Sequence, residues 1–271
     1  MLLRAGLPKG WNMTGVVRKI SNGRWDSPIV ARLRQFIDLG AADIDTLRAL
    51  IECELSVERR RDLVVDGYEY SKLSFVKEGF AARYKLLRNG KRQIINVIVP
   101  GDIIGLPGSF LDQATFSVIA LTDLKLEVCS LDAFLAVCHR QSKFGLMLTW
   151  LAVQEAMSYA DRIVDVGRRT PAERLAHFLL EIHGRLTVVG GATENGFDLP
   201  ISQEVISDAL GLSVPHLNRM LAKLRGEGLI AITDRRIRFI DKKALQLLAH
   251  FQPARLARIP AALPLKHELI A

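Results

Sequence analysis

The spacing of apolar residues changes period several times along the chain, and each change predicts a different element. Ile29, Leu33, Phe36 and Ile37, followed by Leu47, Leu50 and Ile51, recur at helical spacing. Ser27 suits the cap of the first helix, with Pro28 at its first position. From about Arg60 to Cys129 the pattern shortens to strands. Phe75-Val76 lead into Glu78-Gly79, Ala81–Leu87 alternates, and Gln93–Val99 resumes after Asn89-Gly90, a strong hairpin signal. Phe116–Leu121 and Lys125–Cys129 add two strands, with turns at Pro100-Gly101-Asp102, Gly105 and Pro107-Gly108 between. Short strands this closely spaced predict an antiparallel barrel or jelly roll.

A long helix is expected next, over about Lys143–Gly167. Leu146, Trp150, Val153, Met157, Ala160 and Val164 alternate spacings of four and three, the seam of a helix that pairs with a copy of itself. Gly167-Arg168-Arg169-Thr170-Pro171 breaks the run. Thr170 then caps a new helix with Pro171 and Glu173 in its first turn, ending near His183. Gly190-Gly191 and Asn195-Gly196 predict a loop, Phe197–Leu199 a short strand, Leu229–Thr233 and Ile237–Ile240 a hairpin, and residues 242–251 a last helix.

Between that strand and that hairpin, Ile201–Ile230 carries the pattern of a helix-turn-helix. Ser202 caps the first helix, Val205, Ile206, Ala209 and Leu210 face inward, and Gly211 makes the turn. Leu212, Leu217, Leu221 and Leu224 bury the second helix. Its remaining face holds Ser213, Val214, Pro215, His216, Asn218, Arg219, Lys223 and Arg225, with no acidic residue. A helix fits the major groove of DNA, where Arg219 suits the O6 and N7 acceptors of guanine. Asn218 and His216 could meet bases or phosphates, and Lys223 and Arg225 phosphates. Ser202 and Gln203, at the start of the first helix, are further phosphate anchors.

Charge sharpens this picture. The net charge of +8 is carried by the ends: residues 1–27 contribute +4 and residues 168–271 +5, whereas 28–167 sum to −1. A neutral centre between basic ends points to a polyanion partner. Cys53, Cys129 and Cys138 have no metal or cluster spacing and read as free thiols in a reducing compartment. No apolar run suits a membrane span or signal peptide, so the expected location is the cytoplasm, without membrane contact. None of the six histidines lies within residues 60–130, which argues against a metal enzyme built on the barrel. No nucleophile–base pair or phosphate-loop motif appears. The expectation is a protein without enzymatic activity, catalytic residue, cofactor or metal.

Three features are family-specific: Pro100-Gly101-Asp102-Ile103-Ile104-Gly105, Arg174-Leu175-Ala176, and Gly211-Leu212-Ser213 through His216-Leu217-Asn218-Arg219. Together they resemble the Crp/Fnr family of bacterial transcription regulators over about residues 28–251. The resemblance implies an α+β chain: a basic arm (1–27), an antiparallel β-roll of jelly-roll-like, cyclic-nucleotide-binding fold (28–142), a dimerisation helix (143–167), a winged helix-turn-helix domain (168–251) and a tail (252–271). It implies a homodimer on a palindromic double-stranded DNA site near promoters, with RNA polymerase as a further partner. Departures accompany it. Where cyclic-AMP receptors have a glutamate and an arginine in their phosphate cassette, counting from Gly105 places Leu106 and Phe116. Cysteines for an oxygen-sensing cluster are missing before Cys53, and Pro215 replaces a frequent glutamate of the recognition helix. The expectation is a regulator not controlled by cyclic AMP. A cyclic-nucleotide- or other small-ligand-responsive regulator, and a constitutive one whose roll senses nothing, remain as alternatives.

Overall fold

The computed structural model describes residues 16–18 and 25–252. The arm and the tail expected at the two ends therefore fall almost wholly outside the described residues. Within the arm, Val16–Arg18 (β1) is a strand paired with the next one rather than irregular chain. Helices α1 (Pro28–Leu33) and α2 (Ala41–Leu50) lead into a run of strands. These are β2 (Cys53–Val57), β3 (Asp62–Val64), β4 (Lys72–Glu78), β5 (Ala81–Leu86), β6 (Arg92–Ile98), β7 (Ile103–Ile104), β8 (Ser117–Ala120) and β9 (Leu124–Ser130). They form two antiparallel sheets, ordered β1-β2-β9-β4-β7 and β3-β8-β5-β6. Leu55, Val76, Ile98, Ile104, Val118 and Leu126 fill the space between them. The Asn89-Gly90 turn closes the β5–β6 hairpin as expected: Gly90 takes a φ of 78° and the Asn89 side chain accepts from the Lys91 N–H at 3.0 Å.

Helices α3 (Leu131–Arg140) and α4 (Ser142–Gly167) follow the roll. Neither α3 nor β2 was expected from the sequence, because each is too short for its period to stand out. The amino-terminal half of α4 packs home: Phe144, Met147, Trp150 and Leu151 join Leu33, Leu73, Phe75 and Phe134 in one core. Trp150 stacks on Phe36 at 5.3 Å between centroids. It thus lies in the core of its own roll and leaves the expected self-pairing seam. Leu146 is half-buried, whereas Val153, Met157, Ala160 and Val164 are exposed.

The rest of the chain is α5 (Pro171–Val188), β10 (Ala192–Thr193), β11 (Gly196–Asp198), α6 (Gln203–Leu210), α7 (Val214–Gly226), β12 (Ile230–Thr233), β13 (Arg236–Phe239) and α8 (Lys242–Leu248). Helix α5 outruns its expected end at His183, since Gly184 meets no neighbour and costs only about 1 kcal/mol against alanine. Leu179, Leu180, Ile182 and Leu186 offset that by burial. Helix α8 stops three residues short of 251. Thr170 caps α5 as expected: its side chain accepts from the Glu173 N–H at 3.4 Å, and the Glu173 carboxylate accepts from the Thr170 N–H at 2.8 Å. Thr170→Ala should lower stability by about 1 kcal/mol, read as a shift of the denaturant midpoint.

The roll and the carboxy-terminal elements share a core, in which Ala82, Ile94 and Val97 of the roll meet Leu179, Ile206 and Leu210. Polar links fasten the same joint. Arg92 donates to Asp208 of α6 at 2.7 and 3.0 Å, and Gln93 to the Asp208 carbonyl at 2.9 Å. Arg185 of α5 pairs with Asp102 of the Pro100-Gly101-Asp102 turn. Gly101 sits there at φ 87°, where a Cβ would meet Val189 at 2.8 Å, so the turn needs a glycine for both conformation and space.

Candidate nucleic-acid interface

Helices α6 and α7 meet through a turn of three residues. Gly211 adopts a left-handed φ of 65°, which stops α6, and the Leu212 N–H returns to the Ser207 carbonyl at 3.0 Å. Each helix is capped by serine: Ser202 accepts from the Val205 N–H at 3.3 Å and Ser213 from the His216 N–H at 3.4 Å. Pro215 sits in the first turn of α7, where a missing N–H costs nothing. Ser207 is buried where the helices cross. Arg174 of α5 braces the unit from behind, donating to the Leu210 carbonyl at 3.1 Å and the Arg169 carbonyl at 2.9 Å.

Leu217, Leu221 and Leu224 turn α7 towards the core. The opposite face exposes Pro215, Asn218, Arg219, Lys223 and Arg225, while Val214 and His216 are half-buried at its edge. Gln203 is exposed at the start of α6 and Ser202 half-buried. The ten expected contact residues therefore lie at the start of α6 and along one side of α7. Among the described residues, Asn218, Arg219 and Arg225 form no side-chain hydrogen bond or ion pair. Lys223 comes within 3.8 Å of Glu227, an exposed pair that competes little with a phosphate.

Sequence reasoning found the winged hairpin but placed no contact residue on it. The hairpin turns at Asp234 and Arg235, both with positive φ (48° and 66°), and exposes Arg235, Arg236 and Arg238. Arg236 is engaged by Asp198 at 3.1 Å. The signal was legible, since Asp234-Arg235-Arg236 is a basic turn between two apolar strands beside the helix-turn-helix.

The interior of the roll is the second candidate region. Leu106 and Phe116 are both buried, as apolar residues should be. A charge is present nonetheless. Arg83 follows Ala81 onto the inner face of β5, since alternate residues of a strand point the same way, and it is fully buried. Its guanidinium lies over the Phe116 ring, 4.5 Å from the centroid. Nη1 donates to the Glu155 carboxylate and the Tyr159 hydroxyl, both from α4, and Nη2 to the Leu106 carbonyl at 2.9 Å. Burial pushes the Tyr159 phenol above its ordinary pKa, so it is neutral. Elsewhere in the roll, burial pushes the Cys129 thiol up to about 12, and all three cysteines are free. Among the described residues no cluster of side chains could hold a metal ion, and no helix is long and apolar enough to cross a membrane.

Comparison with known proteins decides the family. Residues 173–248 match the model of the Crp-like helix-turn-helix domain, and residues 46–141 that of the cyclic nucleotide-binding domain. The nitrogen fixation regulation protein FixK of Bradyrhizobium diazoefficiens is 30% identical over 219 residues, which span 81% of this chain and 86% of that protein. The chain belongs to the Crp/Fnr family. The transcriptional activatory protein AadR of Rhodopseudomonas palustris is 33% identical over 175 residues, 64% of this chain and 71% of its own length. Among solved structures, FixK2 from Bradyrhizobium japonicum superposes with a TM-score of 0.67 at 25% identity, covering 74% of this chain and 98% of that one. This Crp/Fnr chain is accordingly a DNA-binding transcription regulator with an antiparallel β-roll, a long helix and a carboxy-terminal winged helix-turn-helix.

Proposed function

We propose that the regulator acts in the cytoplasm as a homodimer on a palindromic promoter site, with α7 in the major groove. The observation that carries this reading is the exposed, acid-free face of α7, on which Arg219 stands without a partner among the described residues. Arg219 reads guanine, Asn218, His216, Val214 and Pro215 lie against base edges or the groove wall, and Ser213, Lys223 and Arg225 meet phosphates. Ser202 and Gln203 anchor the phosphate beside the amino-terminus of α6. The wing adds Arg235 and Arg238 to the phosphate contacts. The second copy joins along Val153, Met157, Ala160 and Val164, with half-buried Leu146 at one end. RNA polymerase is the partner that would turn binding near a promoter into activation. No catalytic role is assigned, and the apolar Leu106 and Phe116 argue against control by cyclic AMP.

Selection of bound DNA from a random pool, with the purified chain and no added ligand, tests this reading. The expected result is enrichment of a two-fold symmetric sequence whose half-site centres lie about 10 base pairs apart, one turn of the duplex. Retention without sequence enrichment would leave only non-specific charge attraction and overturn it.

A further inference from the structure

The joint between the β-roll and α4 holds a cavity of about 480 Å³, bordered by Leu106, Pro107, Leu148, Ala152, Glu155 and Tyr159. Behind its wall lies Arg83, the largest fully buried side chain of the described residues. Three separate elements meet on this guanidinium. Strand β5 supplies it, the segment after β7 supplies the Leu106 carbonyl, and α4 supplies Glu155 and Tyr159. Phe116 closes the remaining face of the cation. Arg83 Nε is buried and unpartnered, and among the described residues Glu155 is the one carboxylate that neutralises the group.

Such an arrangement does what a small anionic effector would have to do here. A ligand shifts a two-state joint only through contacts that differ between the states, and an anion bridging the roll to α4 would supply them. In this chain a carboxylate of α4 itself occupies the cation. Because a buried arginine without a counter-charge is costly, α4 is held in whatever register keeps Glu155 in place. The same helix carries the exposed apolar stripe from Val153 to Val164 and leads into α5 of the DNA-binding domain.

We propose that the Arg83–Glu155 pair, with Tyr159, is an internal latch that stands in for an anionic effector: it fixes α4 on the β-roll in the DNA-binding arrangement, so that no small ligand is needed. The inference rests on the DNA-binding reading above and names how that activity is set.

The test measures binding of the full chain, without added ligand, to a duplex carrying the selected site. Glu155→Ala should weaken site-specific binding by about 5- to 150-fold, the usual span of a coupling between two sites. Acetate should restore much of that affinity by occupying the vacated carboxylate position, and chloride at equal ionic strength should not. A second variant, Arg83→Leu with Glu155→Leu, removes both charges at once and avoids leaving a buried ion unpaired. Folded and dimeric by melting and sedimentation, it should bind the site as weakly as Glu155→Ala. Wild-type affinity in that folded double variant overturns the latch, and so does wild-type binding that needs an added cyclic nucleotide or other anion. Should the double variant not fold, the acetate arm decides alone, and no recovery there overturns the latch. A wild-type chain that selects no sequence defeats the DNA-binding reading instead, which keeps the two failures apart.

Discussion

Arg219→Ala is expected to cut discrimination between the selected site and random DNA sharply while leaving non-specific binding in place. Arg219 is exposed on the second turn of α7, and among the described residues no carboxylate pairs with it. A bidentate contact with guanine is worth about 1–3 kcal/mol, and the proposed two-fold dimer would make it twice, so roughly 2–6 kcal/mol is at stake. Specific and non-specific binding differ by about 4–10 kcal/mol in typical regulators, so removing the contact from both half-sites erases about half of the difference. Stability should change little, because the side chain is exposed and forms no hydrogen bond or ion pair among the described residues. The measurement is a competition titration of specific against random duplex at one fixed salt concentration. Lys223→Ala supplies the contrast: it should weaken binding to all sequences alike and reduce the salt slope by about one unit for each phosphate no longer neutralised. If Arg219→Ala instead weakens every sequence equally, Arg219 contacts phosphate and the reader of the base lies elsewhere.

What made that residue findable is a general feature of this chain. Helices α6 and α7 announce themselves through caps, a glycine and the i, i+3/i+4 spacing of leucines, which are all local signals. Ser202, Gly211 and Ser213 take up the backbone positions their residue types favour. The Asn89-Gly90 hairpin and the Thr170-Pro171-Glu173 start of α5 were legible for the same reason. Elements that depend on distant partners were not. Strand β2 is five residues long and is fixed by pairing with β9, about 70 residues further on. Helix α3 has a clear cap at Ser130 but only ten residues of period.

Trp150 and Arg83 show a second limit. Heptad spacing placed Trp150 in the seam, yet a large aromatic goes where it can be covered, and Phe36 covers it within the same chain. Spacing reports which residues share a helix face, not which partner that face meets. Arg83 gave no signal at all. A basic residue on an alternating strand reads as solvent-facing, and its burial depends on Glu155, 72 positions away. The absence of charge at Leu106 and Phe116 was visible in the sequence; the charge brought in from β5 was not.

Trp150's burial also shortens the exposed seam to the carboxy-terminal half of α4. Val153 is 49% exposed, Met157 56% and Val164 46%, and their spacing puts the three on one face of the helix. Burying such a side chain fully is worth about 1.5–3 kcal/mol, and a symmetric contact counts each residue twice. Met157→Glu would instead place two carboxylates near the two-fold axis, losing that burial and adding like-charge repulsion. Dissociation to monomer at micromolar concentration is therefore expected, read by sedimentation, with an unchanged melting profile for the folded monomer's own core. Val166→Glu is the matched control. Val166 is apolar and 45% exposed, but at 3.6 residues per turn it points roughly 150° away from the seam. It should leave the dimer intact. A Met157→Glu chain that stays dimeric would move the interface off this stripe. Separation of the two variants would tie dimerisation to the exposed stripe of α4, and half-site binding by the monomer should then be far weaker, because the second recognition helix no longer arrives tethered to the first.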